Sequence, residues 1–247
     1  MSHFWGRSMK NAASIRLLAA LGTTVLSVLM PLESAGASVC FGTSANGRVS
    51  DAVALPAQGE NYGPYSSLGV TLGRTHVHQT VRDIVVDAYA AAYRTMPTTL
   101  FLYGETGLSS GGAFKPHRTH QSGTSVDFMV PVLDGKGKSV ALPSNALNKF
   151  GYALEFDANG KLNDLQIDFE AVAEHLHQLA IAAKKHGAPI NRVIFQRELV
   201  AQLYRTKRGE YLRRSVTFMK ATPWIRHDEH YHVDFTLPCR PMTDYGR

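Results

Sequence analysis

The chain has 247 residues, 44% of them hydrophobic and 19% charged, and a mean hydropathy of -0.14. That is enough apolar material for a real core, and it excludes disordered, collagen-like and disulfide-dense classes. A formal charge of +6 and a pI near 9.3 favour an acidic partner, but no lysine-arginine run is dense enough to point to nucleic acid.

At the N-terminus, Arg7, Lys10 and Arg16 precede a 14-residue apolar run, Leu17 to Met30, which is too short to span a bilayer comfortably. Pro31 breaks it, and Ala35-Gly36-Ala37 has the small-residue form that a signal peptidase cuts. Residues 1–37 therefore read as a secretory signal peptide and 38–247 as one domain with 23 basic and 19 acidic residues, a net charge of +4. No membrane span is expected once the leader is removed. Export places the only two cysteines, Cys40 and Cys239, in an oxidising compartment. A disulfide tying the two ends is the first reading, and two separate buried thiols are the alternative.

An irregular arm, Ser38 to Arg74, is rich in glycine, serine, proline and tyrosine. Thr80 is a plausible N-cap for an amphipathic helix over Val81–Arg94, with Val81, Ile84, Val85, Ala88 and Ala92 on one face. Thr98–Tyr103 and Val126–Val132 read as strands on either side of a glycine-rich loop, Gly104 to Gly112. Tyr152–Leu162 reads as a hairpin closed by Asp157-Ala158-Asn159-Gly160. A second helix carries Phe169, Val172, Leu176, Leu179, Ala180 and Ala183 on one stripe and stops at Gly187. His175 and His177 lie about 200° apart around it and read as surface residues. A strand over Arg192–Phe195, a helix over Arg197–Arg205 and a last strand over Tyr231–Leu237 complete an α+β pattern: a small antiparallel sheet packed with helices.

The chemistry is carried by two histidine clusters. The first runs from His117 through His120 to Asp127, across a Gly123-containing turn that can fold His120 back beside the carboxylate. The second is His227-Asp228-Glu229-His230-Tyr231-His232-Val233-Asp234, and on a strand His230 and His232 project from one face. A catalytic zinc takes three protein ligands and leaves one position for water. His120, Asp127 and His232 supply three, while His230 stands beside them as proton acceptor or oxyanion stabiliser. Zinc brings bound water to a pKa near 7, so amide hydrolysis needs no serine or cysteine nucleophile. Asp228, Glu229 and Asp234 either orient the histidines or sit solvated in a loop. Trp224 and Tyr231 either wall the site or pack the interior.

The pattern His120-x6-Asp127 with His230-x-His232 resembles the zinc peptidases of the lysostaphin, D-Ala-D-Ala metallopeptidase and hedgehog group, and within it the penicillin-insensitive murein endopeptidases. The carrying residues are His117-x-x-His120-Gln-x-Gly-x-x-Val-Asp127, Pro223-Trp224 and His227-x-x-His230-x-His232-Val, with weaker echoes at Cys40 and from Leu55-Pro56 to Tyr62. The resemblance implies a periplasmic enzyme acting on peptidoglycan with one Zn2+ ion, cutting the D-alanyl to meso-diaminopimelyl cross-link between peptide stems. By the family pattern His120, Asp127 and His232 are the ligands, His230 is catalytic, and His117 and His227 line the site and orient substrate. The alternatives are a zinc D,D-carboxypeptidase or dipeptidase on peptidoglycan stems, and a non-catalytic exported zinc- or wall-binding protein.

Overall fold

The computed structural model describes residues 36–246, so the signal-peptide reading falls almost wholly outside the described residues. The chain runs through β1 (Val39–Thr43), β2 (Asn46–Ser50), β3 (Val53–Ala54), β4 (Tyr62–Pro64), α1 (Ser67–Thr71), β5 (His76–Val77), α2 (Gln79–Thr95) and β6 (Phe101–Tyr103). It continues through β7 (Ser125–Met129), β8 (Val132–Leu133), β9 (Ser139–Val140), β10 (Lys161–Leu162), β11 (Leu165–Ile167) and α3 (Phe169–Lys185). β12 (Ile190–Ile194), α4 (Arg197–Leu203), α5 (Gly209–Ser215) and β13 (His230–Phe235) close the fold. The class is α+β.

The central sheet has five strands in the order β12-β13-β7-β6-β4, antiparallel except where β4 joins β6 in parallel. One face of β7 and β13 presents Val126, Phe128, Tyr231 and Val233 to the apolar core. There α2 packs against α3, burying Val81, Ile84, Val85, Ala88 and Ala92 on one helix and Val172, Leu176, Leu179 and Ala183 on the other. The opposite face of the same two strands carries Ser125, Asp127, His230, His232 and Asp234. Alternation along a strand thus divides two neighbouring strands into a structural side and a polar side.

The expected helices begin and end a few residues from their predicted bounds. His78 caps α2 instead of Thr80: its Nδ1 accepts the Thr80 N–H at 3.1 Å. Asp168 caps α3 by accepting the Ala171 N–H, and Gly187, at φ +69°, follows its last turn as predicted. His175 is not a surface residue, because it lies fully buried on α3. Its ring stacks on Tyr89 with centroids 4.6 Å apart, and Nδ1 lies 2.5 Å from the Tyr231 hydroxyl.

The hairpin falls later than predicted. The Asp157–Gly160 turn forms, with Asp157 Oδ1 accepting the Asn159 and Lys161 N–H groups. The strands that pair are β10 and β11, closed by Asn163-Asp164, with Asn163 at φ +51°. Residues ahead of the turn cannot pair, because Phe156 is buried and its N–H donates to Asp228 Oδ2 at 2.5 Å. The arm consists of short pieces: the β1–β2 hairpin, β3 paired with β5, and β4 on the edge of the central sheet. Cys40 and Cys239 form the expected disulfide, with Cα atoms 4.7 Å apart.

Candidate metal centre

In the register of β7 and β13, His232 lies directly opposite Asp127, His230 opposite Met129, and Asp234 opposite Ser125. Cross-strand partners share a face and sit close together, so His232 Nδ1 comes within 2.8 Å of Asp127 Oδ1. His120 arrives from the loop before β7. It is fully buried, and its backbone takes φ +69°, a left-handed conformation that costs a non-glycine residue about 1–2 kcal/mol. Its Nε2 ends 3.2 Å from the same Asp127 Oδ1. Gly104, just after β6, packs where a Cβ would collide with the Tyr152 hydroxyl and crowd Asp127, so a side chain there would force Tyr152 or Asp127 to shift.

The other nitrogen of each ring is already engaged. His120 Nδ1 donates to the Thr106 carbonyl at 3.1 Å, and His232 Nε2 donates to Asp234 Oδ1 at 2.9 Å. Asp234 is itself held by the Ser125 hydroxyl and by Arg192. The Thr106 carbonyl leaves the His120 lone pair on Nε2, and Asp234 turns His232 Nδ1 the same way, so both nitrogens face Asp127 Oδ1. Fixing the tautomer of a ligand histidine in this way is the usual second layer of a metal site. His120 Nε2 has no hydrogen-bond partner although it is wholly buried. An acceptor nitrogen and an acceptor oxygen facing each other in the interior fit a cation between them.

Asp127 Oδ2 has different neighbours. Tyr152 donates its hydroxyl to it at 3.1 Å, His117 Nδ1 lies 3.6 Å away, and His230 Nε2 lies 3.7 Å away. His117, His120 and Asp127 also form a group whose possible ligand atoms lie within 4.8 Å of one another. His117 Nε2 is bound to Glu105 Oε2 at 2.6 Å. Glu105 in turn accepts from Arg74 and from the Tyr65 hydroxyl. His230 Nδ1 donates to Glu229 Oε1 at 2.7 Å. His227 Nδ1 donates to the Ile225 carbonyl at 2.8 Å, and its ring lies 4.6 Å from that of His230.

Burial and charge act in opposition here. Burial disfavours the Asp127 carboxylate, yet the surrounding imidazoles, His120 and His230 foremost, outweigh it and hold its pKa well below the ordinary range. Burial would neutralise His232, but Asp234 and Asp127 reverse that and raise its pKa. The nest therefore attracts positive charge, and a metal ion would satisfy it by displacing the proton from an imidazole nitrogen. His120 is driven toward the neutral form by burial, and so is His227, lowered to about 3 by burial and the neighbouring His230. Burial also opposes a charged His230, but Glu229 and Asp127 overcome it.

A cavity of about 440 Å³ opens onto the site, lined by His117, His227, His230 and His232 among others. Trp224 and Ile225 stand on its rim at 45% and 54% exposure, whereas Tyr231 is buried in the core and walls nothing. Of the three uncertain carboxylates, Glu229 and Asp234 do contact histidines. Asp228 instead ties Arg226 and the Phe156 backbone together. Glu105, Arg74 and Tyr152 escaped sequence reading, because no spacing links them to either cluster. Of the histidines on the arm side, His76 Nδ1 bonds the Gly73 carbonyl, and His78 caps α2.

The profile of the penicillin-insensitive murein endopeptidases matches residues 40–243. The chain belongs to that family. The match spans both histidine clusters, both cysteines and every strand of the central sheet. Membership in this murein endopeptidase family makes the chain one of a group of peptidases whose substrate is peptidoglycan. No curated protein matches it significantly. Among the described residues no helix is long and apolar enough to cross a membrane.

Proposed function

We propose that this chain is an exported, periplasmic zinc endopeptidase that hydrolyses the D-alanyl to meso-diaminopimelyl cross-link of peptidoglycan. In this reading residues 1–37 are its signal peptide and 38–247 its single catalytic domain. One observation supports it: two imidazole nitrogens, His120 Nε2 and His232 Nδ1, converge on Asp127 Oδ1 beside a cavity. His120, Asp127 and His232 are the zinc ligands. His117 faces the other oxygen from farther away and is bound by Glu105, so it lines the site instead. Zinc supplies Lewis acidity that activates water and polarises the peptide carbonyl.

The remaining steps belong to the protein's own residues. His230 Nδ1–H is committed to Glu229, so Nε2 is the atom that, when neutral, accepts a proton from the attacking water and returns it to the leaving amine, and, when protonated, stabilises the oxyanion. His227 stays neutral near pH 7 and, with Nδ1–H bound to Ile225, offers Nε2 to a peptide N–H of the substrate. Trp224 and Ile225 on the rim cover the stem.

The test combines activity with metal content. Purified protein is incubated with cross-linked muropeptide dimers, with and without chelator, and products are read by mass spectrometry. Dimers should become monomers only without chelator. His230→Ala should keep its metal and lose most activity, whereas His120→Ala and His232→Ala should lose both. His117→Ala should keep the metal. Loss of metal from His117→Ala but not from His232→Ala would transfer the ligand role to His117. Intact dimers from a metal-loaded protein that trims stem termini would make it a carboxypeptidase.

A further inference from the structure

The cavity beside the histidines holds three charged side chains besides the imidazoles: Glu105, Glu229 and Lys149. Two are engaged. Glu105 is bound by Arg74, His117 and Tyr65, and Glu229 accepts from His230 and from the Asp228 N–H. The Lys149 side chain has no hydrogen-bond or ion-pair partner among the described residues, and the residue is both exposed and part of the lining, which places it at the opening.

Its position is built with care. Lys149, Phe150 and Gly151 take successive left-handed conformations at φ +51°, +58° and +100°, which the first two adopt only against a steric preference. The loop is pinned at its base by Asn145 and Asn148, whose side chains accept backbone N–H groups in a reciprocal cap. Asn148 Nδ2 donates to the Pro143 carbonyl and Ser144 Oγ to the Tyr65 carbonyl. The Phe150 ring meets Tyr65 edge to face at 6.4 Å. The strained turn thus fixes the Lys149 backbone against the wall that also carries Tyr65 and Tyr152.

We infer that Lys149 is an anion anchor that selects peptides bearing a free carboxylate next to the scissile amide. The inference rests on the cross-link reading above and deepens it. In a D-alanyl to diaminopimelyl bond, the carbon that carries the leaving nitrogen also carries a carboxylate. That group emerges beside the reacting atoms, and Lys149 is the unpaired cation available to it on the cavity wall. At so exposed a position a charge pair of this kind contributes about two- to fivefold in affinity.

The experiment compares two muropeptide dimers that differ only in that carboxylate, free or amidated, using wild type, Lys149→Met and Lys149→Arg. Cleavage is followed by mass spectrometry and equilibrium binding by calorimetry. Wild type should prefer the free acid about two- to fivefold in kcat/KM, mainly through KM. Lys149→Met should bring the ratio near one, and Lys149→Arg should restore most of it. Equal use of both dimers by wild type, or an unchanged ratio in Lys149→Met, overturns the inference. If wild type cleaves neither dimer but binds the free acid more tightly in a Lys149-dependent way, the anchor stands and the endopeptidase reading falls. Binding of neither dimer sinks both.

Discussion

Glu229 and Asp234 each bind one histidine of β13, at 2.7 and 2.9 Å, yet they serve different atoms. Asp234 holds the far nitrogen of His232 and so turns Nδ1 toward Asp127. Glu229 holds Nδ1 of His230 and so leaves Nε2 bare toward the cavity. Two substitutions of equal size separate these tasks. Asp234→Asn should weaken metal affinity about 10–100-fold, measured by competition with a chelating dye. Glu229→Gln should keep metal affinity within a few-fold and lower kcat by about 10–100-fold at nearly constant KM. Equal metal loss in both would mean that His230, too, holds the ion. The contrast was invisible in the sequence, where the two carboxylates are neighbours of the same histidine cluster and their burial cannot be guessed.

Among the elements, α3 shows most plainly what periodicity can and cannot convey. Its apolar stripe and its terminal glycine were readable, because helix packing demands both. His175 was misplaced, since a polar ring is expected outside unless its partners are known, and those partners, Tyr89 on α2 and Tyr231 on β13, are distant in sequence. The two strands that carry the nest were legible for the converse reason: Val126 and Phe128 on one, and Tyr231 and Val233 on the other, alternate with polar residues at a spacing of two. The hairpin failed because a long-range bond from Phe156 to Asp228 overrode a good local turn signal. His175 also makes α3 sensitive to acid. Burial lowers its pKa to about 3, against about 6.5 in an unfolded chain. Between those values the unfolded state binds more protons, so this stabilising contribution is complete above pH 6.5 and is lost as pH falls toward 3. The slope is about 1.4 kcal/mol per pH unit. Urea titrations of wild type and His175→Phe at pH 6 and pH 4.5 should show a shallower acid loss in the variant, whatever its stability at pH 7. Equal slopes would mean that His175 is protonated in the folded protein.

For the molecule as a whole, the Cys40–Cys239 bond joins residues separated by 199 positions. Beside it the Gly42 N–H donates to the Arg240 carbonyl and the Arg240 N–H to the Cys40 carbonyl. By chain entropy, closing so long a loop stabilises the fold by about 5 kcal/mol at most. Reduction should therefore lower Tm by up to about 10–20 °C, with metal content retained at room temperature, because neither cysteine touches the histidine nest. Calorimetry with and without reductant tests this, and an unchanged Tm would show that the paired backbone already holds the ends together.

The direct opposition of His232 and Asp127 across β13 and β7 has a further effect. Slipping one strand by a single residue would turn His230, His232 and Asp234 into the apolar core and push Tyr231 and Val233 out. The polar face thus acts as an error check on assembly: a misaligned sheet carries its own penalty, and only the correctly aligned one brings the imidazoles onto the carboxylate.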